Sequence, residues 1–82
     1  MEAGKKADPV EGMLEIVRRV LRCPEFDLSQ SFASLGGTSL AAVHIVSLVE
    51  AEYQLSVSLE DFFDAPDMAT VADLVKRAGR EG

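Results

Sequence analysis

The apolar residues of this chain recur at intervals of three and four, and no stretch alternates convincingly at two. Val10, Met13, Leu14, Val17 and Leu21 form one such stripe. Ala42, Ile45, Val46, Val49 and Tyr53 form a second, and Val71, Leu74, Val75 and Ala78 a third. That spacing places each set on one face of an α-helix and rules against a half-buried sheet. With 82 residues the chain is expected to make one small domain whose stability is modest. The expected fold is all-α, a four-helix bundle with a long first loop and a short third helix.

Local signals set the helix boundaries. Asp8-Pro9-Val10-Glu11 reads as a helix start, with Asp8 as cap, Pro9 at the first helical position and Glu11 at the reciprocal capping-box position. Glu15 and Arg19 are spaced to pair weakly across one turn, and Pro24 stops the helix. Residues 24 to about 38 form a connection whose Phe26, Leu28, Phe32 and Leu35 are expected to fold back over the core. The second helix is expected from about Ser39 to Tyr53. Ser56-Val57 is an extended link, and Ser58 caps a short helix anchored by Leu59, Phe62 and Phe63. Pro66 breaks it. Asp67 and Thr70 compete to cap the last helix, and Gly79 marks its end. The domain thus spans 8–79, between tails at 1–7 and 80–82.

Composition narrows the function. Acidic residues number 14 against 8 basic, a formal net charge of −6, which opposes binding to nucleic acid. No apolar run is long enough to span a bilayer, and the first residues lack the apolar core of a signal peptide. The single cysteine, Cys23, cannot form an internal disulfide, which suits a reducing compartment; it reads as a small half-buried residue. A cytoplasmic location, with no membrane partner, is expected.

The chemistry concentrates at Leu35-Gly36-Gly37-Thr38-Ser39-Leu40. One histidine and one cysteine cannot build a nitrogen or thiolate metal centre. Neither a Gly-x-Ser-x-Gly elbow nor a P-loop is present. His44 could lie near Ser39, but no residue supplies the third group of a hydrolytic triad, so His44 reads as a solvated helix residue. What remains is a pair of hydroxyls at a helix N-terminus after a flexible turn. Unpaired amide groups and the positive end of the helix dipole favour an anion there, such as a phosphate ester on Ser39. From geometry alone, the commoner use of such a residue is as a cap, and Thr38 or Ser39 could serve as one and nothing more.

The string Leu35 to Leu40 resembles the attachment motif of peptidyl carrier proteins, the thiolation domains of nonribosomal peptide synthesis. The resemblance continues through Phe32 before the motif, then Leu40, Ala42, Ile45, Val46 and Val49. Tyr53, Leu55, Val57, Phe62-Phe63 and Thr70-Val71-Ala72-Asp73-Leu74 extend it over about Pro9 to Ala78. Ala33, Ser34 and Gln54 depart from the family pattern, which often has Phe, an acidic residue and Gly at these positions. Three residues separate Pro66 and Thr70, where Pro-Thr is often direct. Thr38 after Gly37 differs from the Gly-Asp of fatty-acid and polyketide carriers, which favours an amino-acid cargo.

The resemblance implies an acyl-carrier-protein-like bundle that is not itself an enzyme. A phosphopantetheinyl transferase would attach 4′-phosphopantetheine from coenzyme A to Ser39, with Leu35, Gly36, Gly37, Thr38 and Leu40 as the surrounding motif. An adenylation enzyme would load an aminoacyl or peptidyl thioester, and a condensation or tailoring enzyme would receive it. Leu40 and Val43 are apolar on the expected wet face, so with His44 they are the expected docking surface. Leu48 would pack against the loop. Met1 and the short length suggest a monomeric, free-standing carrier, with a domain of a larger synthetase as the alternative. Carriage of an aryl acid, D-alanine or a polyketide chain also stays open, as does a helical interaction protein with no prosthetic group.

Overall fold

The structure, a computed structural model, describes residues 8–81 and is all-helical over that range. The expected tail at 1–7 lies outside the described residues. Helix α1 spans Pro9–Leu21, α2 Ser39–Tyr53, α3 Leu59–Asp64 and α4 Met68–Glu81, with a 3-10 turn at Ala33–Leu35. Helix α1 packs against both α2 and α4, and α3 bridges α2 and α4.

The helix starts follow local chemistry. Asp8 Oδ1 accepts the Val10 amide at 2.9 Å, and Pro9 opens α1. The reciprocal bond expected from Glu11 is not formed among the described residues. Helix α1 ends at Leu21, before Pro24 is reached, because Arg22 turns left-handed at φ +56°. The Cys23 amide then closes the turn on the Arg18 carbonyl at 3.0 Å. Glu15 and Arg19 do not pair, and the ion pair among the described residues is Arg77–Asp73. Gln54 ends α2 at φ +57°, the left-handed geometry that glycine adopts most easily. Helix α4 does not stop at Gly79 but continues to Glu81.

Asp67 is the cap of α4. Its Oδ1 accepts both the Thr70 amide at 2.9 Å and the Thr70 hydroxyl at 2.8 Å. The long loop completes that helix start. The Gln30 carbonyl accepts the Met68 amide at 2.8 Å, and the Leu28 carbonyl accepts the Ala69 amide at 2.9 Å. Three amides that a helix start leaves without partners are thus satisfied, and the loop is tied to the bundle.

The three expected stripes supply much of the core. Met13, Leu14 and Val17 of α1, Ala42, Ile45, Val46 and Val49 of α2, and Val71 and Val75 of α4 are buried. Tyr53, Leu74 and Ala78 are half-buried. Ile16, Leu55, Val57 and Met68 join the core. Ile16 is buried because α1 has a helix on two sides and needs a wider apolar arc than one stripe. Gly12 is buried for a related reason: a Cβ there would collide with the ring and hydroxyl of Tyr53.

Two expectations are corrected. Of the proposed α3 anchors only Phe62 is buried, while Leu59 and Phe63 are 41% and 42% exposed. A helix of six residues has room for one inward ring, and residues 59 and 63, four apart, share its outer side. In the loop, Leu28 is exposed, Phe26 and Leu35 pack half-buried against the core, and the loop residue buried within it is Phe32. Its ring lies edge-on to Phe62 at 5.1 Å and to Phe63 at 6.3 Å between centroids, a favoured aromatic geometry.

Phe32→Ala should cost about 3–5 kcal/mol, read as a lowered urea midpoint. Asp67 provides a pH test. The Thr70 hydroxyl, then the Thr70 amide, hold its carboxyl below the ordinary value of 3.8. A depressed folded-state pKa stabilises the fold above the unfolded value, and that contribution fades as pH falls from 3.8 through the lower folded value. Thermal unfolding of Asp67→Asn should therefore lose less stability between pH 5 and pH 3 than wild type, after a lower start at pH 7.

Candidate functional site at the start of α2

Two turns of chain deliver Ser39 to the surface. The 3-10 turn ends at Gly36, whose φ of +91° disfavours any side chain, and its amide donates to the Ala33 carbonyl at 3.0 Å. The Gly37 amide then donates to the Phe32 carbonyl at 3.0 Å. Gly37 lies against the Phe32 ring so closely that a Cβ would overlap it. The buried ring therefore fixes where the chain emerges.

Thr38 next adopts an extended conformation and caps α2. Its Oγ1 accepts the Ala41 amide at 3.1 Å, and its carbonyl accepts the Ala42 amide at 2.9 Å. This answers which hydroxyl caps the helix. Ser39 is the first helical residue, exposed, and its Oγ has no hydrogen-bond partner among the described residues. The amides of Ser39 and Leu40 are also without acceptors there. An unengaged hydroxyl beside unpaired amides, at the positive end of a 15-residue helix, suits a phosphate ester.

An apolar groove opens on each side. One, of about 230 Å³, is lined by Ser39 and Ala42 of α2 and by Leu59, Glu60, Phe63 and Asp64 of α3. The other, about 390 Å³, is formed by Thr38, Leu40, Ala41, Val43 and His44. Leu40 is 79% exposed and Val43 43% exposed, so the expected pair of outward apolar residues stands beside Ser39. His44 is exposed and makes no hydrogen bond with Ser39. Leu35 is half-buried under the turn. Leu59 and Phe63, expected as core anchors, line the groove on the α3 side instead. Their spacing of four puts them on one face apart from Phe62, but six residues are too few for periodicity to say which face is inward. Leu48 turns toward α1 and lies with Ile16 and Val20. Cys23 is half-buried, and its Sγ donates to the Glu25 carbonyl at 3.2 Å. Among the described residues no group of His, Cys, Asp and Glu could hold a metal ion, and no helix is long and apolar enough to cross a membrane.

Residues 11–75 match the family described as "Phosphopantetheine attachment site". The chain belongs to that family. The family's domain carries 4′-phosphopantetheine, and the open Ser39 hydroxyl, the free amides and the adjoining groove fit such a group. The attachment-site domain is 38% identical over 63 residues, 77% of this chain, to tyrocidine synthase 3 of Brevibacillus parabrevis. It is 41% identical over 58 residues, 71% of this chain, to nonribosomal peptide synthetase 7 of Aspergillus fumigatus. Gramicidin S synthase 2 of Brevibacillus brevis is 28% identical over 71 residues, 87% of this chain. The matched region makes up 1% of the first of these relatives and 2% of the other two.

Substitution separates the two hydroxyls. Thr38→Ala should lower stability by about 1 kcal/mol, and Thr38→Ser should retain much of the cap. Ser39→Ala should change stability by no more than about 0.5 kcal/mol, as at an ordinary surface position. Chemical denaturation of the three variants checks the assignment.

Proposed function

We propose that this domain is a peptidyl carrier protein of nonribosomal peptide synthesis, with Ser39 as the covalent attachment point for 4′-phosphopantetheine. The observation that carries the reading is the division between adjacent hydroxyls: Thr38 caps the helix, which leaves Ser39 Oγ open at the helix start. The similarity to three peptide synthases supports the class of pathway. In the attachment step, Ser39 Oγ forms the new bond to phosphorus and gives up its proton. The bond from that phosphorus to the adenosine-bearing phosphate of coenzyme A breaks. The attached group supplies a thiol on which an acyl group is held as a thioester.

The chain's own residues do three things in this reading. The Ser39 and Leu40 amides face the phosphodiester, Gly36 and Gly37 leave the approach to Ser39 unobstructed, and Leu40, Val43 and His44 offer partners an exposed surface. The domain is a substrate for other enzymes and performs no catalysis of its own. Its partners are a phosphopantetheinyl transferase, an adenylation enzyme, and a condensation or tailoring enzyme, each of which it must release. Weak apolar docking suits that cycle, because tethering supplies local concentration without tight binding. The reading places the domain in the cytoplasm, as a monomer.

Incubation with coenzyme A and a broad-range phosphopantetheinyl transferase should add one phosphopantetheinyl mass to the wild-type protein and none to Ser39→Ala. An unchanged wild-type mass, or a gain retained in Ser39→Ala, would contradict the assignment. Loading assays on the modified protein with amino acids, aryl acids and D-alanine then distinguish the cargo class.

A further inference from the structure

The surface beside Ser39 has opposite charge on its two flanks. At about 100° per residue along α2, Val43 and Leu40 face outward between Ala42, which lies toward α3, and His44 and Leu48, which lie toward α1. On the α3 flank the groove is rimmed by Glu60 and Asp64. On the α1 flank is a separate cleft of about 360 Å³, with Ile16, Val20 and Leu48 as its apolar part and Arg19, Arg22 and His44 around it. His44 also lines the groove next to Ser39, so the two depressions adjoin.

The two arginines are notable on a chain of net charge −6. Neither takes part in an ion pair among the described residues, although Glu15 stands one turn before Arg19. Their neighbour Arg18 is engaged over the Phe26 ring at 5.6 Å. Both side chains of the pair are exposed, and both have the planar fork that matches a carboxylate. The helix C-terminus accounts for a preference for basic residues here, but not for an apolar floor between them.

We propose that the α1–α2 cleft is a contact site for a partner protein, which seats an aliphatic side chain on Val20 and Leu48, above the buried Ile16, and pairs a neighbouring carboxylate with Arg19 and Arg22. Nucleic acid is disfavoured as the occupant because the domain as a whole repels it. The acidic rim at Glu60 and Asp64 calls for the reverse charge on the other side of the same partner. The flanking charges thereby fix the rotation at which the α2 face is presented, since like charges meet in the reversed orientation. That orienting role rests on the carrier reading above, whereas the cleft's preference for an acidic, aliphatic segment does not.

The test uses the 15N-labelled chain and two synthetic peptides, one with leucine flanked by glutamates and one with lysine in place of each glutamate. The glutamate peptide should shift amide signals around Ile16, Val20 and Leu48, with little response to the lysine peptide. In Arg19→Glu/Arg22→Glu the preference should invert, and the glutamate peptide should bind at least tenfold more weakly. Arg19→Gln/Arg22→Gln, which leaves the α1 terminus without added negative charge, should lose the preference without inverting it. Addition of ~0.5 M salt should reduce the difference between peptides. Signals that do not shift at the cleft, or shift equally with both peptides, would overturn the proposal. Because no step requires coenzyme A, a charge swap in a chain that fails to take up phosphopantetheine would leave the cleft standing and remove the carrier reading alone.

Discussion

The Ser39 end of the molecule depends on one buried ring. Phe32 lies in the middle of the connection between α1 and α2, and its burial makes that connection part of the bundle. The ring meets Phe62 edge-on, so it joins the loop to α3. It also lies under Gly37, two residues before the exposed serine. The carbonyls of Leu28 and Gln30 complete the start of α4, so the same loop is held by hydrogen bonds at its other end. A loop fixed at both ends presents Ser39 at a defined place, with no further ordering of the chain required.

Thr38 and Ser39 illustrate how a site can be kept open at no cost to the helix. An uncapped helix start exposes amides that must find other partners, and a serine there tends to fold back and satisfy them. With Thr38 already in that role, the neighbouring hydroxyl is not drawn into the structure. The open hydroxyl thus stands on the residue next to the one that makes the stabilising interaction. The surrounding apolar surface follows from the same geometry. Helix α2 buries Ala42, Ile45, Val46 and Val49, which sends Leu40 and Val43 outward. Helix α3 is too short to bury both ends of its Leu59–Phe63 pair and contributes them to the groove.

Much of this was legible in the sequence because the relevant signals are local. The bounds of α2, the Asp8 and Ser58 caps and the outward direction of Leu40 and Val43 depend on residues within a turn or two of each other. Features set by neighbouring elements were harder to read. Ile16 and Gly12 are buried because α1 is flanked by helices on two sides and meets Tyr53, which a single stripe does not reveal. Asp67 prevailed over Thr70 because the loop supplies the preceding carbonyls, a long-range contact. Leu59 and Phe63 were misplaced because six residues hold less than two helical turns, too few for periodicity to assign a face. The α1–α2 cleft was invisible for a different reason: Arg19 and Arg22 stand at the end of α1 and just beyond it and His44 on α2, and only the packing of these elements brings them together.

In the proposed function the adjacent hydroxyls have separate duties, Thr38 structural and Ser39 chemical. The most direct measurement is fragmentation mass spectrometry of the peptide spanning residues 35–46, after treatment of the protein with coenzyme A and a phosphopantetheinyl transferase. Every fragment containing Ser39 should carry the added group, and fragments ending at Thr38 should not. The group on Thr38, or on neither residue, would contradict that division.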